Sequence, residues 1–191
     1  MLWTPLTERA LNTAARLHDG RHRKGEEKNP EIVHLVAVAS IVSQYTDDEE
    51  VVAAALLHDT IEDTSYTAFD LKKEFGDRVC ELVCGVTIPE AHDEEGHEWK
   101  KDRTRYYENL KDAPNESALI AAVDKLHNFT SILRQYEESP EQFQKEFGGT
   151  KEDRILVYKA IVDLLIPRIP KELADDLQSV WEKYKTFVQA L

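Results

Sequence analysis

"DDEEVVAAALLHDTIED", residues 47–63, runs from four acids through a stretch that is apolar on nearly every side into His58, Asp59, Glu62 and Asp63. Acids suit the first turn of a helix, where free backbone N–H groups carry partial positive charge, and a helix apolar all round belongs inside a protein. The stretch therefore predicts a helix buried at the middle of an α-helical fold. Its far end poses a problem. Read as one continuous helix, Glu62 lies one turn beyond His58 and Asp63 one turn beyond Asp59, so carboxylates and an imidazole crowd one place. Burying them without partners costs several kcal/mol each. A divalent cation would compensate, since imidazole nitrogen and carboxylate oxygen together suit Mn, Fe, Zn or Co. A capped helix end with solvated acids explains these residues equally well.

The flanking sequence is also helical in pattern. Apolar residues recur at helical spacing over 6–18, with Thr7 as the expected N-cap, and again through Val33, Ala37, Val38, Ile41 and Val42. Thr67, with Asp70 at the third helical position and Gly76 beyond the end, frames a further helix, and Asp77 is placed to cap the next, to about Val86. More helices are expected near 102–110, after Asn115, and at about 151–166 and 171–189, with Pro167 and Pro170 separating the last two. No alternating segment or interdomain linker interrupts this, so the fold class is all-α and residues 1–191 read as one domain.

Composition narrows the function. The chain has 191 residues, 41% hydrophobic and 32% charged, with seven glycines, as in a helix-rich globular protein. A net charge of −13 repels a phosphate backbone, which excludes extended nucleic-acid binding. No apolar run of membrane-spanning length and no signal pattern is present, so a cytoplasmic protein is expected. Cys80 and Cys84 share a helix face and read as packing thiols.

Two distant residues bear on the cluster at 58–63. His34 lies in the apolar helix "EIVHLVAVASIV" and Asp124 in "ALIAAVDKLHN". Each conflicts with burial, as His58 and Asp59 do, and one metal held by His34, His58, Asp59 and Asp124 would resolve all four conflicts together.

This ordered His…His-Asp…Asp pattern resembles the HD superfamily of metal-dependent phosphohydrolases. "HDTIED" at 58–63, "HDGRHRKG" at 18–25, "FGDRVCELVCGVT" at 75–87 and "VDKLHN" at 123–128 are similar to the alarmone-hydrolase branch, the RelA/SpoT homologues, over about residues 10–135. The resemblance implies an HD fold with the metal site at its centre and a small stand-alone hydrolase that removes the 3′-pyrophosphate of (p)ppGpp. Alternatives are hydrolysis of (p)ppApp, NADPH or a nucleoside monophosphate, and an inactive nucleotide- or protein-binding module. By the same resemblance His34, His58, Asp59 and Asp124 hold the metal, Mn²⁺ for preference, and Glu62 and Asp63 serve the water. Arg23, Lys24, Asn128, Ser131, Arg154 and Tyr158 contact the nucleotide. The expected partner is a small nucleotide, with a homo-oligomer left open.

The chain departs from the family pattern at Arg21, usually Gln, at Glu31, usually aromatic, at Leu35, usually Pro, and at Thr130, often Arg. These changes bear on the base pocket rather than on the ligands. The charged stretch 88–101 reads as a surface loop or lid, from which Lys100, Lys101 or Arg103 would close on the phosphates. His92, Asp93, Glu94, Glu95 and His97 there are read as solvated, His18 as support for the 23–25 loop, and His127 as a packing residue.

Overall fold

The computed structural model describes residues 3–25, 28–88 and 99–191. No strand occurs among the described residues. The helices are α1 (Pro5–Leu17), α2 (Glu31–Val42), α3 (Glu49–Leu57), α4 (Thr60–Asp63), α5 (Ala68–Phe75), α6 (Asp77–Cys84), α7 (Trp99–Asp112), α8 (Asn115–Tyr136), α9 (Pro140–Glu146), α10 (Lys151–Leu165) and α11 (Lys171–Ala190), with a 3₁₀ turn at Ile166–Arg168. None of them is long and apolar enough to cross a membrane.

Helix α3 is the hub. Asp48 caps it by accepting from Glu50 N at 3.0 Å, and every residue from Val51 to Leu57 is buried against α1, α2, α6 and α8. Each fully buried Val or Leu contributes roughly 1.5–3 kcal/mol from removal of apolar surface from water. The expected single helix over 47–63 is interrupted. Thr60 Oγ1 donates to Leu57 O at 2.6 Å, so a side chain takes an acceptor that the helical ladder would use, and α4 starts anew after His58 and Asp59. Asp63 N still reaches Asp59 O at 2.9 Å, which keeps the two acids one turn apart.

Other local expectations shift for physical reasons. Thr4, not Thr7, caps α1; Thr7 is the third helical residue, and the two threonines exchange backbone bonds at 2.9 and 3.3 Å in a capping box. The buried face of α2 carries Glu31, His34, Leu35, Val38, Ala39 and Val42, leaving Val33 53% exposed, because the helix turns its ionisable residues inward. Thr67 and Asp70 form their capping box as the pattern implies. Asp77 opens α6, but Gly76 at φ 90° occupies the cap, making the sharp α5–α6 joint that a side chain would strain. Trp99–Lys101 belong to α7; the lid expected at 88–101, with His92 to His97, otherwise lies outside the described residues apart from buried Ile88.

Helix α8 is the second spine, packed on α2 and α3 along one side and on α11 along the other. Its apolar run Ala118–Val123 is buried, and farther along Phe129 stacks on Tyr184 of α11 with ring centroids 4.4 Å apart. Thus α2, α3 and α8, which carry His34, His58 and Asp124, meet in the core. Cys80 and Cys84 are half-buried with sulfurs 3.8 Å apart, at the edge of the core rather than in it.

Candidate metal centre and nucleotide cleft

Four side chains predicted from distant segments converge. His34 Nε2 lies 3.1 Å from Asp124 Oδ1 and 3.6 Å from Asp59 Oδ2, and His58 Nε2 lies 3.2 Å from Asp59 Oδ2 and 3.8 Å from Asp124 Oδ1. Despite these separations, neither buried Nε2 has a hydrogen-bond partner, since the oxygens lie off the directions that such a bond requires. Donor atoms of His34, His58 and Asp124 lie within 4.8 Å of one another, as do those of His34, Asp59 and Glu31, and such gatherings of imidazole nitrogen and carboxylate oxygen suit a divalent cation.

The outer atoms of the imidazoles are fixed. His58 Nδ1 is 2.8 Å from Ala55 O, a carbonyl that can only accept, so Nδ1 carries a proton and Nε2 presents its lone pair to the centre once its own proton is displaced. His34 Nδ1 is 2.9 Å from His127 Nδ1. Burial, followed by the charges of His34 and Arg23, pushes His127 down to about 4, so near neutrality it is uncharged and able to accept the His34 N–H when Nε2 of His34 is turned to a cation. His127, expected only to pack, is therefore an orienting partner of His34. A histidine three residues after a core acid was the available signal.

Electrostatics in the metal-free site follow from crowding. Burial lowers His34, whereas for His58 the attraction of Asp59 and Asp124 overcomes burial and raises it well above its ordinary value. Burial opposes ionisation of Asp59 and Asp124, yet His58 beside Asp59, and Lys125 with the imidazoles beside Asp124, hold both below the carboxylate range. Lys125 Nζ donates to Asp124 Oδ2 and Asn128 Nδ2 to Oδ1, each at 2.5 Å. Glu62 is pushed up to about 7 and Asp63 to about 6, first by burial and then by the charge of Asp59. Glu62 Oε1 accepts from Ile88 N at 2.5 Å. Asp63 meets Arg21 at 3.3 Å and His18 at 4.0 Å, so His18 faces Asp63 instead of the 23–25 loop.

A cleft of about 320 Å³ adjoins the centre and is lined by Arg23, Lys24, Asn128, Ser131 and Tyr158, among others. Gly25, at φ 112°, lets this loop lie on α8, because a Cβ there would fall 1.9 Å from Gln135 Oε1. Arg23 donates to Glu31 at 2.8 Å and to Asn128 Oδ1, which chains the loop to Asp124. Lys24 Nζ donates to Glu146 O at 2.9 Å and lies over the Phe147 ring. Arg154 is not brought here. It is buried, donating to Tyr184 Oη at 3.2 Å and to Gly148 O, with the Trp99 and Phe143 rings 5.0 and 4.8 Å from its guanidinium. It is bonded into the fold and is not among the residues that line the cleft, contrary to the expectation of a nucleotide contact.

Comparison with known proteins gives the same family. The HD domain model matches residues 10–149. The guanosine-3′,5′-bis(diphosphate) 3′-pyrophosphohydrolase MESH1 of Drosophila melanogaster is 35% identical over 160 residues, covering 81% of this chain and 82% of that protein. A Haemophilus influenzae enzyme of the same activity is 56% identical over 70 residues, 37% of this chain but 10% of its own length, so the chain spans a small part of that relative. A solved metazoan orthologue of SpoT that hydrolyses ppGpp superposes with a TM-score of 0.76 at 28% identity, over 96% of this chain and 97% of that one. By its motifs, its metal-ready centre and these likenesses, the chain belongs to the HD-domain family, among the RelA/SpoT homologues.

Proposed function

We propose that this chain, acting as a single domain in the cytoplasm, is a metal-dependent hydrolase that removes the 3′-pyrophosphate of (p)ppGpp, giving GDP or GTP and pyrophosphate. The observation that carries this reading is the pair of partnerless buried imidazole nitrogens facing two carboxylates beside a nucleoside-sized, cation-bearing cleft.

His34, His58, Asp59 and Asp124 would hold one divalent cation, for which we favour Mn²⁺ on the family resemblance. When bound, the cation supplies Lewis-acid activation of water and neutralises charge that develops on the phosphoryl oxygens. Glu62, with its affinity for protons raised by burial, takes the proton of the attacking water. The water oxygen bonds to the phosphorus while the bond from phosphorus to the ribose 3′-oxygen breaks, and that oxygen needs a proton. Asp63, which lines the cleft and is pushed up to about 6, would give it. The Arg23 guanidinium offers a plane for the base, Lys24 an ammonium for phosphate, and Asn128, Ser131 and Tyr158 bond ribose or base.

The test is turnover of a nucleotide panel with Mn²⁺. The proposal expects GDP and pyrophosphate from ppGpp. Intact ppGpp alongside cleavage of ppApp, NADPH or a nucleoside monophosphate would replace it.

A further inference from the structure

One buried acid beside the metal centre has no part in the four-ligand set. Glu31 opens α2, its backbone N–H donating to Arg21 O at 3.0 Å, and it belongs to the buried face of the helix together with His34. A Glu and a His three residues apart share one helix face, the spacing by which helical carboxylate metal sites draw two ligands from a single helix. The donor atoms of Glu31, His34 and Asp59 lie within 4.8 Å of one another. His34 is common to this group and to the group of His34, His58 and Asp124, and its buried Nε2 has no hydrogen-bond partner among the described residues. The acid is also held in place. Arg23 Nη1 donates to Glu31 Oε1 at 2.8 Å, but a carboxylate has lone pairs for about four bonds, so this contact orients Glu31 without exhausting it. Pairing with Arg23 accounts for the charge of Glu31 but not for its burial against an orphaned imidazole and a second carboxylate.

We propose that Glu31 is a fifth protein ligand of the cation held by His34, His58, Asp59 and Asp124. Two imidazoles and two carboxylates make a four-ligand set, the number that suits Zn²⁺, whereas a third carboxylate adds a hard oxygen and the higher coordination number that suit Mn²⁺. Glu31, a departure from the family pattern that the sequence alone assigns to the base pocket, thus acts on the metal and tilts this centre toward Mn²⁺ and away from Zn²⁺. This rests on the metal-dependent reading above, but its test separates the two.

The test is calorimetric titration of the metal-free protein with Mn²⁺ and, separately, with Zn²⁺, for the wild type and Glu31→Gln. The expected result is a fall of at least fivefold in the ratio of Mn²⁺ to Zn²⁺ affinity, through loss of Mn²⁺ binding. A smaller change in that ratio in a folded variant, including an equal loss for both metals, overturns the proposal. Should Glu31→Gln not fold, Glu31→Asp decides. It keeps the charge beside Arg23 but is one methylene short of the cation, so a merely structural partner of Arg23 would leave the ratio where it was. A fall of at least threefold is expected for that variant, and a smaller one overturns the proposal. A wild type that binds neither metal would sink the metal-dependent reading and this proposal together, whereas one that binds Mn²⁺ with this pattern but leaves ppGpp intact would sink the substrate reading alone.

Discussion

Replacing Glu62 by Gln should make the protein more stable when metal-free and less active when metal is bound. The carboxyl of Glu62 rises from 4.5 to about 7 on folding, chiefly through burial and then through Asp59. The folded state therefore holds the proton more tightly than the unfolded chain does. The sign follows: there is no penalty below pH 4.5, where both states are protonated, and the cost grows with pH until it is complete above about 7. At about 1.4 kcal/mol per pH unit the gap corresponds to roughly 3 kcal/mol, and solvent access to a part-exposed side chain reduces this to roughly 1–3 kcal/mol. Gln keeps the acceptor for Ile88 N but carries no charge, so it escapes the penalty. Thermal unfolding in EDTA should show Glu62→Gln melting about 2–12 °C above the wild type at pH 8, at roughly 2–4 °C per kcal/mol, and equal to it at pH 4. With metal restored, kcat should fall roughly 10²–10⁴-fold, the range for loss of a general base. An identical stability difference at both pH values would refute the reasoning, because it would not come from ionisation of Glu62.

Other consequences of the geometry are open to measurement. His127→Ala removes the acceptor that orients His34 and should weaken Mn²⁺ binding about 10–100-fold by calorimetry; unchanged affinity would show that the 2.9 Å contact does not position the ligand. Metal affinity should rise with pH, because the cation displaces a proton that the metal-free site holds on His58 well above its ordinary range, and titration in buffers of different ionisation enthalpy should register proton release. Leu57→Ala, in the hub helix next to His58, should cost about 2–5 kcal/mol in urea unfolding, and a loss below 1 kcal/mol would deny α3 its central place.

The residues that sequence exposed most clearly were those that violate burial. His34, His58 and Asp124 lie on helices that are otherwise apolar, and a shared ligand would reconcile them, so their convergence was legible before any coordinates. Residues whose role depends on rotation about a helix axis were not. Val33 and His34 are neighbours, yet one is half exposed and the other buried, and the periodicity of an apolar helix such as α2 hardly distinguishes its faces. The break between α3 and α4 depends on one hydroxyl bond of Thr60, and the short helix α9 was missed because Pro140–Glu146 holds a single buried residue, Phe143. Arg154 shows the opposite error. Its motif suggested a nucleotide contact, but aromatic rings and a carbonyl supplied by α7, α9 and α11 and the loop before α10 enclose it. The role of His127 required three dimensions, since its partner His34 lies across the core rather than along the chain.

The central claim is that one metal, held by His34, His58, Asp59 and Asp124, is the seat of (p)ppGpp hydrolysis. Asp59→Ala removes a carboxylate that faces both imidazoles, at 3.2 and 3.6 Å, without touching Arg23 or Tyr158. Equilibrium dialysis with Mn²⁺ and ppGpp turnover on the same samples form the most direct test. The account predicts one Mn²⁺ per wild-type chain, turnover proportional to occupancy, and loss of both in a folded Asp59→Ala variant; turnover at the wild-type rate in that variant would contradict it.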